Sequence, residues 1–261
     1  MDEHRPLRTY GRIKARTLKP RQAGLVETLL PHLAVPEEGA IDVAALFEPS
    51  PLGGRAGWAG VQNEAQAAPS HSILNAPHPN PSPKGEGLVL EIGFGGGEHL
   101  VAQANAHPEQ RYIGVEPFLN GVASCLRHIE ESGAQNIRLH QGDARDVIAR
   151  LPDASLDRVY ILFPDPWPKT RHHKRRLIQP EFLSELARVM KPGAEVRFAT
   201  DWANYASWTL EHFTREPRFS WLADRAEDWR KPWPGHTTTR YEEKKLGDCA
   251  PIWLRFVRTA S

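Results

Sequence analysis

Cysteine is nearly absent: Cys125 and Cys249 are the only two in 261 residues. Two cysteines cannot build a disulfide framework, and no CxxC pair offers a zinc site. No metal is expected, and a reducing compartment, the cytoplasm, is the simplest reading. Long apolar runs are missing as well. Nothing approaches the roughly 18 residues that a membrane span requires, and the N-terminus MDEHRPLRTYGRIKAR lacks the apolar core of a secretory signal. No membrane partner is expected. Net charge is only +1, so bulk charge identifies no partner either. What remains, 40% hydrophobic and 25% charged residues, is the composition of a soluble chain able to bury a core.

The charge that is present is clustered. Residues 1–24 hold seven Lys/Arg against two acids, and residues 169–176 hold five Lys/Arg and no acid. Two basic patches in a near-neutral chain point to a local anionic contact. Residues 1–22 alone read equally well as a frayed tail or as an arm for nucleic acid; the second patch favours the arm. Residues 23–35 form a short helical or apolar segment, closing a first unit at 1–48. Residues 49–87 then carry seven prolines and six glycines. That composition predicts a flexible insertion with no chemistry of its own.

From Leu88 to residue 261 the pattern is regular. Strands are expected at 88–92, 111–115, 136–140, 156–163 and 194–200, with helices at 98–107, 117–132, around 147–151, at 181–190 and at 205–213. Late strands are expected at 217–222 and 251–258. In the second helix Phe118, Val122, Cys125, Leu126 and Ile129 share one face, Pro117 suits its first turn and Gly133 its end. Pro192-Gly193 is expected to stop the 181–190 helix. This alternation predicts an α/β fold with a mostly parallel sheet covered on both faces. The tryptophans at 202, 208, 229 and 233 are expected to pack rather than to stack on bases.

The first strand runs into Glu91-Ile-Gly93-Phe-Gly95-Gly-Gly97. Glycines at a strand-to-helix junction let the backbone turn tightly and approach a ligand. A dinucleotide site prefers GxGxxG, but the third glycine of that pattern would fall on Glu98, which disfavours a pyrophosphate and a nicotinamide dehydrogenase. S-adenosylmethionine, which has no phosphate and carries a cationic sulfonium, suits the loop better. Glu116 ends the second strand and can accept from ribose hydroxyls. Asp143 follows the third and can reach the adenine edge. Each acid alone reads as a surface carboxylate; Glu91, Glu116 and Asp143 after one glycine loop read as a cofactor site. Glu91 can act through the loop backbone or on the methionine part.

The fourth strand, Val159-Tyr160-Ile161-Leu162-Phe163, does not alternate and so reads as buried on both faces. It breaks at Pro164-Asp165-Pro166-Trp167-Pro168. Asp165 is thereby delivered to the strand's C-terminal edge, where open parallel sheets bind ligands. Lys169, Arg171, Lys174, Arg175 and Arg176 come at once after it, the equipment for gripping a polyanion. His172 and His173 read as part of that wet surface.

FPDPWPKTRHHKRR, the ExGxGxG loop, Glu116 and TTTRYEEKKLGDCAPIWLRF together resemble the bacterial tRNA (guanine-N7)-methyltransferase family, a class I Rossmann-like group. The likeness covers residues 88–260, and 5–24 more loosely; the PDPWPK-basic tract is its most specific part. It implies methylation of guanine 46 in the tRNA variable loop, with S-adenosylmethionine converted to S-adenosylhomocysteine. It implies Glu91, Gly93, Gly95, Gly97, Glu116, Asp143 and Asp165 as cofactor-site residues, with Asp165 also catalytic. Lys169, Asp201 and Thr239-Arg240-Tyr241-Glu242 would serve the substrate, and Arg171, His172, His173, Lys174, Arg175 and Arg176 the RNA. Thr239, Arg240 and Glu242 read by spacing alone as an ordinary charged approach to a strand. No obligate protein partner is implied, and monomer and homodimer both remain open. Two rivals stand beside this reading: an exocyclic-amine nucleic-acid methyltransferase, disfavoured because Asp165-Pro166-Trp167 lacks a second proline, and a non-catalytic RNA-binding protein with a vestigial site, disfavoured by the intact acids and glycines.

Overall fold

The computed structural model describes residues 17–48 and 87–260. Most of the basic arm and of the Pro/Gly-rich insertion lie outside the described residues. Seven strands form one sheet: β1 (Leu88–Ile92), β2 (Arg111–Val115), β3 (Ile137–His140), β4 (Leu156–Leu162), β5 (Met190–Thr200), β6 (Phe219–Trp221) and β7 (Ile252–Arg258). Their spatial order is β3-β2-β1-β4-β5-β7-β6. The first five are parallel, and β7 lies antiparallel between β5 and β6.

The helices are α1 (Pro20–Thr28), α2 (Leu30–Leu33), α3 (Val43–Leu46), α4 (Glu98–Ala106), α5 (Leu119–Ser132), α6 (Ala144–Arg150), α7 (Pro180–Val189), α8 (Ala203–Arg215), α9 (Glu227–Arg230) and α10 (Arg240–Lys244), with a 3-10 segment at Thr170–Arg175. No described helix is long and apolar enough to cross a membrane.

Strand β4 explains the two-layer core. Val159 and Ile161 pack with Val147, Ile148, Phe182 and Leu186 of α6 and α7 on one face. Tyr160 and Leu162 pack with Leu100 and Leu126 of α4 and α5 on the other. Successive residues of a strand point to opposite faces, so a strand with a core on each side must be apolar throughout. Each aliphatic side chain fully buried this way contributes about 1.5–3 kcal/mol. The chain moves from β1 outward to β3 on one side and from β4 to β5 on the other. That reversal opens a crevice at the C-terminal ends of β1 and β4, where such sheets bind ligands.

The structure corrects four details. The 117–132 helix begins at Leu119 with Phe118 as its N-cap, because the Glu116 carboxylate accepts the Phe118 N–H at 3.0 Å and holds the entry open; Pro117 therefore precedes the helix. Gly133 does close it, at φ +74°. The 181–190 helix ends at Val189, and Met190 begins β5, which runs through Pro192-Gly193 instead of being preceded by them. Met190 pairs with Leu156 and the register slips before Arg158; such an irregularity accommodates a proline within a strand. The 23–35 segment is two helices, α1 and α2. The strand expected at 217–222 shortens to Phe219–Trp221.

Candidate active site

The glycine loop needs glycine for its left-handed backbone at three positions and for a close approach at one of them, Gly97. Gly93, Gly95 and Gly97 have φ of +74°, +57° and +82°, and a Cβ on Gly97 would stand 2.4 Å from the Cys125 sulfur of α5. The Glu116 carboxylate accepts the Gly95 N–H at 2.9 Å as well as that of Phe118. Burial pushes the Glu116 carboxyl up, the two backbone N–H groups pull it back, and the charge of Asp165 pushes it up again. Loop, second strand and fourth strand thus meet electrostatically at Glu116.

A cleft of about 270 Å³ opens here, walled by Ile92, Gly93, Val115, Glu116, Asp143, Ala144, Arg145, Phe163, Asp165, Trp167, Arg175, Leu177 and Tyr241. Asp143 caps α6, accepting the Arg145 N–H at 3.0 Å, and pairs with the Arg145 guanidinium at 2.8 Å. Asp165 is exposed to the cleft. Its turn is bracketed by Phe163 and Trp167, at φ +50° and +42°. Bulky residues rarely adopt that region, and each such residue costs on the order of 1–3 kcal/mol. Surrounding contacts must therefore over-determine the turn. On one flank the Phe163 ring packs against Tyr241 and the edge of Trp253 at centroid distances of 5.8 and 5.9 Å. On the other, the Arg176 Nε–H donates to the Pro166 carbonyl at 2.9 Å.

Arg176 requires a correction. It is fully buried, donates to Asn204 Oδ1 at 2.6 Å, and lies over the rings of Tyr205 and Trp208 at 4.9 and 5.0 Å. It braces the Asp165 turn from within and offers nothing to an RNA. Arg171 and Lys174 are exposed, as is Lys169. Arg175 is half-buried over the Trp167 ring at 5.0 Å, which His172 meets edge-on at 5.9 Å. Desolvation, then the charges of Arg175, Arg171, Lys169 and Lys174, hold the His172 imidazole below its usual range. His173 packs its ring on Trp208 at 5.3 Å.

Other expected residues lie around the cleft rather than on its wall. Glu91 is buried beneath the loop, its carboxylate on His99 Nδ1 at 2.7 Å. Asp201 is buried and fastens the 247–249 loop: its Oδ2 accepts the Gly247 N–H at 2.7 Å, and its carbonyl accepts from Cys249 at 3.1 Å. Thr239 and Glu242 form the capping box of α10, and Arg240 pairs with Glu98 at 2.9 Å. Tyr241 alone of that quartet reaches the cleft. Sequence reading missed Arg145, Phe163, Leu177, His99 and His236. Arg145, two residues past a capping Asp, carried a local signal. Phe163 directly follows β4 beside the Asp165 turn, while Leu177, His99 and His236 are brought in by tertiary packing.

The Methyltransf_4 family model, described as "Putative methyltransferase", matches residues 86–253. A tRNA (guanine-N(7)-)-methyltransferase of Caulobacter vibrioides (strain NA1000 / CB15N) is 52% identical over 255 residues, 98% of this chain and 96% of its own. The chain belongs to the tRNA (guanine-N(7)-)-methyltransferase family. Relatives of the same name from Hyphomonas neptunium and Rhodopseudomonas palustris (strain BisB5) are 44% and 43% identical, over 96% and 97% of this chain and 99% and 86% of their own.

Family membership makes the chain a methyltransferase and sets aside the dehydrogenase and vestigial-site readings. Methyltransferases of this family draw on S-adenosylmethionine, and the cleft fits it. A Cβ on Gly93 would meet nothing within 4 Å, so a ligand can approach that backbone. Ile92, Val115, Ala144 and Leu177 offer apolar walls. The carboxylates of Glu116, Asp143 and Asp165 favour a cation over a phosphate. Among the described residues no cluster of His, Cys, Asp and Glu could hold a metal ion.

Proposed function

We propose that this chain methylates N7 of guanine 46 in tRNA, in the cytoplasm, leaving S-adenosylhomocysteine. The observation that carries the reading is the placing of Asp165: it faces the cleft of Glu116 and Asp143 on a strained turn, and the cationic segment Lys169–Arg175 comes directly after it. Bound in the cleft, S-adenosylmethionine would supply an electrophilic methyl group to the guanine N7 lone pair, its sulfur keeping the electron pair of the broken C–S bond. N7 has no proton to lose, so no general base is needed. Orientation is, and alignment supplies up to about 7–11 kcal/mol of barrier lowering in good cases. Glu116 and Asp143 would hold the donor through its ribose and adenine. Asp165 faces the purine as that ring becomes cationic, stabilises the growing charge, and accepts from the guanine N1–H and amino group. Lys169, Arg171, Lys174 and Arg175 grip phosphates, assisted by the basic arm.

The decisive experiment is incubation with labelled S-adenosylmethionine and unmodified tRNA, followed by nucleoside analysis. All label is expected in N7-methylguanosine at position 46; label in an exocyclic amine would restore the rival. The grip has its own check. An Arg171→Ala, Lys174→Ala variant is expected to reduce the slope of log affinity against log salt by about 1.5, since each phosphate contact contributes about 0.7–0.9. An unchanged slope would remove the tract from RNA binding.

A further inference from the structure

We infer that His236 is a positioning residue for the acceptor side of the cleft: with His99 it links Glu91, under the glycine loop, to Glu242, at the head of α10, and so seats Tyr241. The inference rests on the methyl-transfer reading above.

The chain of contacts is short and dry. Glu91 Oε2 is 2.7 Å from His99 Nδ1, with both side chains almost fully buried. Glu242 Oε2 is 2.8 Å from His236 Nε2, and the His236 side chain is 5% exposed. The two imidazole rings lie 5.8 Å apart at a tilt of 34°. Tyr160 packs edge-on against His99 at 4.7 Å, and Trp253 against His236 at 4.5 Å. Two neighbouring contacts run the same way: Gln103 Nε2 donates to the Gly235 carbonyl at 2.8 Å, and Arg240 pairs with Glu98 at 2.9 Å. Helix α4, which starts at the last glycine of the loop, therefore holds the 235–242 segment by three separate links.

The partners set the protonation pattern. A carboxylate only accepts, so His99 carries its proton on Nδ1 and His236 on Nε2. The remaining nitrogens, His99 Nε2 and His236 Nδ1, are buried and have no hydrogen-bond partner among the described residues. Adding a proton to His236 Nδ1 would place a cation beside the His99 ring in an aromatic surround. Burial holds the His236 imidazole below its usual range, against the pull of Glu242. A detached segment would bind that proton more readily, so the seat is kept above the usual histidine range and lost as pH falls through it. The charged or titratable groups against the pair are Glu91 from β1 and Tyr160 from β4 on His99, and Glu242 from α10 on His236. Because Tyr241 adjoins Glu242 and lines the cleft, the seat of α10 sets the acceptor wall.

The test compares His236→Leu with His236→Gln. Leu keeps bulk and loses the bond; the Gln amide nitrogen takes the place of Nε2 and donates to Glu242 without titrating near neutrality. His236→Leu is expected to lower kcat/KM for tRNA about tenfold, the cost of one bond to a charged group, with the KM for S-adenosylmethionine unchanged. His236→Gln is expected to restore most of that loss and to remove the acid limb that His236 contributes to the pH profile. Amide exchange in 239–244 is expected to quicken in Leu and not in Gln, whatever nucleoside the enzyme modifies. Wild-type tRNA kinetics in the Leu variant would overturn the inference. So would equal kinetic losses in both variants that track a common fall in Tm, because a merely structural histidine would give that result. A wild-type product other than N7-methylguanosine would sink the functional reading but leave the exchange comparison standing.

Discussion

Asp165→Ala is expected to lower kcat for tRNA methylation by about 10²–10³-fold, the range seen when one preplaced transition-state contact is removed, while tRNA affinity stays near wild type. The turn sets the size of the effect. Phe163 and Trp167 hold left-handed backbone on either side of Asp165, so the carboxylate is fixed before the purine acquires charge and needs no reorganisation during the step. On the proposed reading the tRNA is gripped elsewhere, by the exposed cations of the 3-10 segment and by Lys169. Asp165→Asn loses the charge and turns one of the two acceptor oxygens into a donor facing a guanine donor, so a loss close to that of Ala is expected whichever role dominates. Turnover near wild type in the Ala variant would take Asp165 out of the reaction.

Arg176→Ala has the second large effect, of a different kind. The variant strips the Pro166 carbonyl and Asn204 of a buried donor and leaves a hole between Tyr205 and Trp208. Unpaired buried polar groups and a cavity together cost about 2–4 kcal/mol, which for a domain of this size lowers Tm by roughly 5–15 °C. The slope of tRNA affinity against salt is expected to stay unchanged, because the guanidinium does not reach solvent. Thermal denaturation and salt titration of one purified variant decide the matter: an unchanged Tm with a flattened slope would return Arg176 to the RNA surface. Arg176→Lys is expected to recover little, because an ammonium cannot reproduce the planar fork that stacks on both rings while donating to two acceptors.

The fold was legible because its signals are local. The unbroken run of β4, the glycines after β1 and the apolar face of α5 are all written in consecutive residues. So were the positions of Glu116 and Asp143 at strand ends beside the cleft, since the end of a strand is marked by the turn residues next to it, whereas Glu91 lies within β1 and faces His99. Arg176 was illegible for the opposite reason. In sequence it closes a cationic run, and only Tyr205 and Trp208, about thirty residues later, turn it inward. His99 and His236 lie far apart in the chain, and nothing near either announces the other. Pro192-Gly193 misled because a local breaker signal was overridden by the pairing of Met190 with Leu156. Asp201, Thr239 and Glu242 were grouped by resemblance; the structure gives each a hydrogen-bonding task next to the cleft wall, and leaves Tyr241 to face it.

Strand β7 has a consequence for synthesis. It is the last strand among the described residues, yet it fills the slot between β5 and β6. Until residues 252–258 emerge from the ribosome, the nascent sheet ends in a bare β5 edge, and β6 has no strand to pair with. A bare edge is a template for wrong pairing. Phe198 and Phe213 also wait for Leu254 and Phe256 to complete their layer. A chain stopped before Ile252 would therefore lack the partner of both β5 and β6 and leave the β5 edge open to wrong pairing.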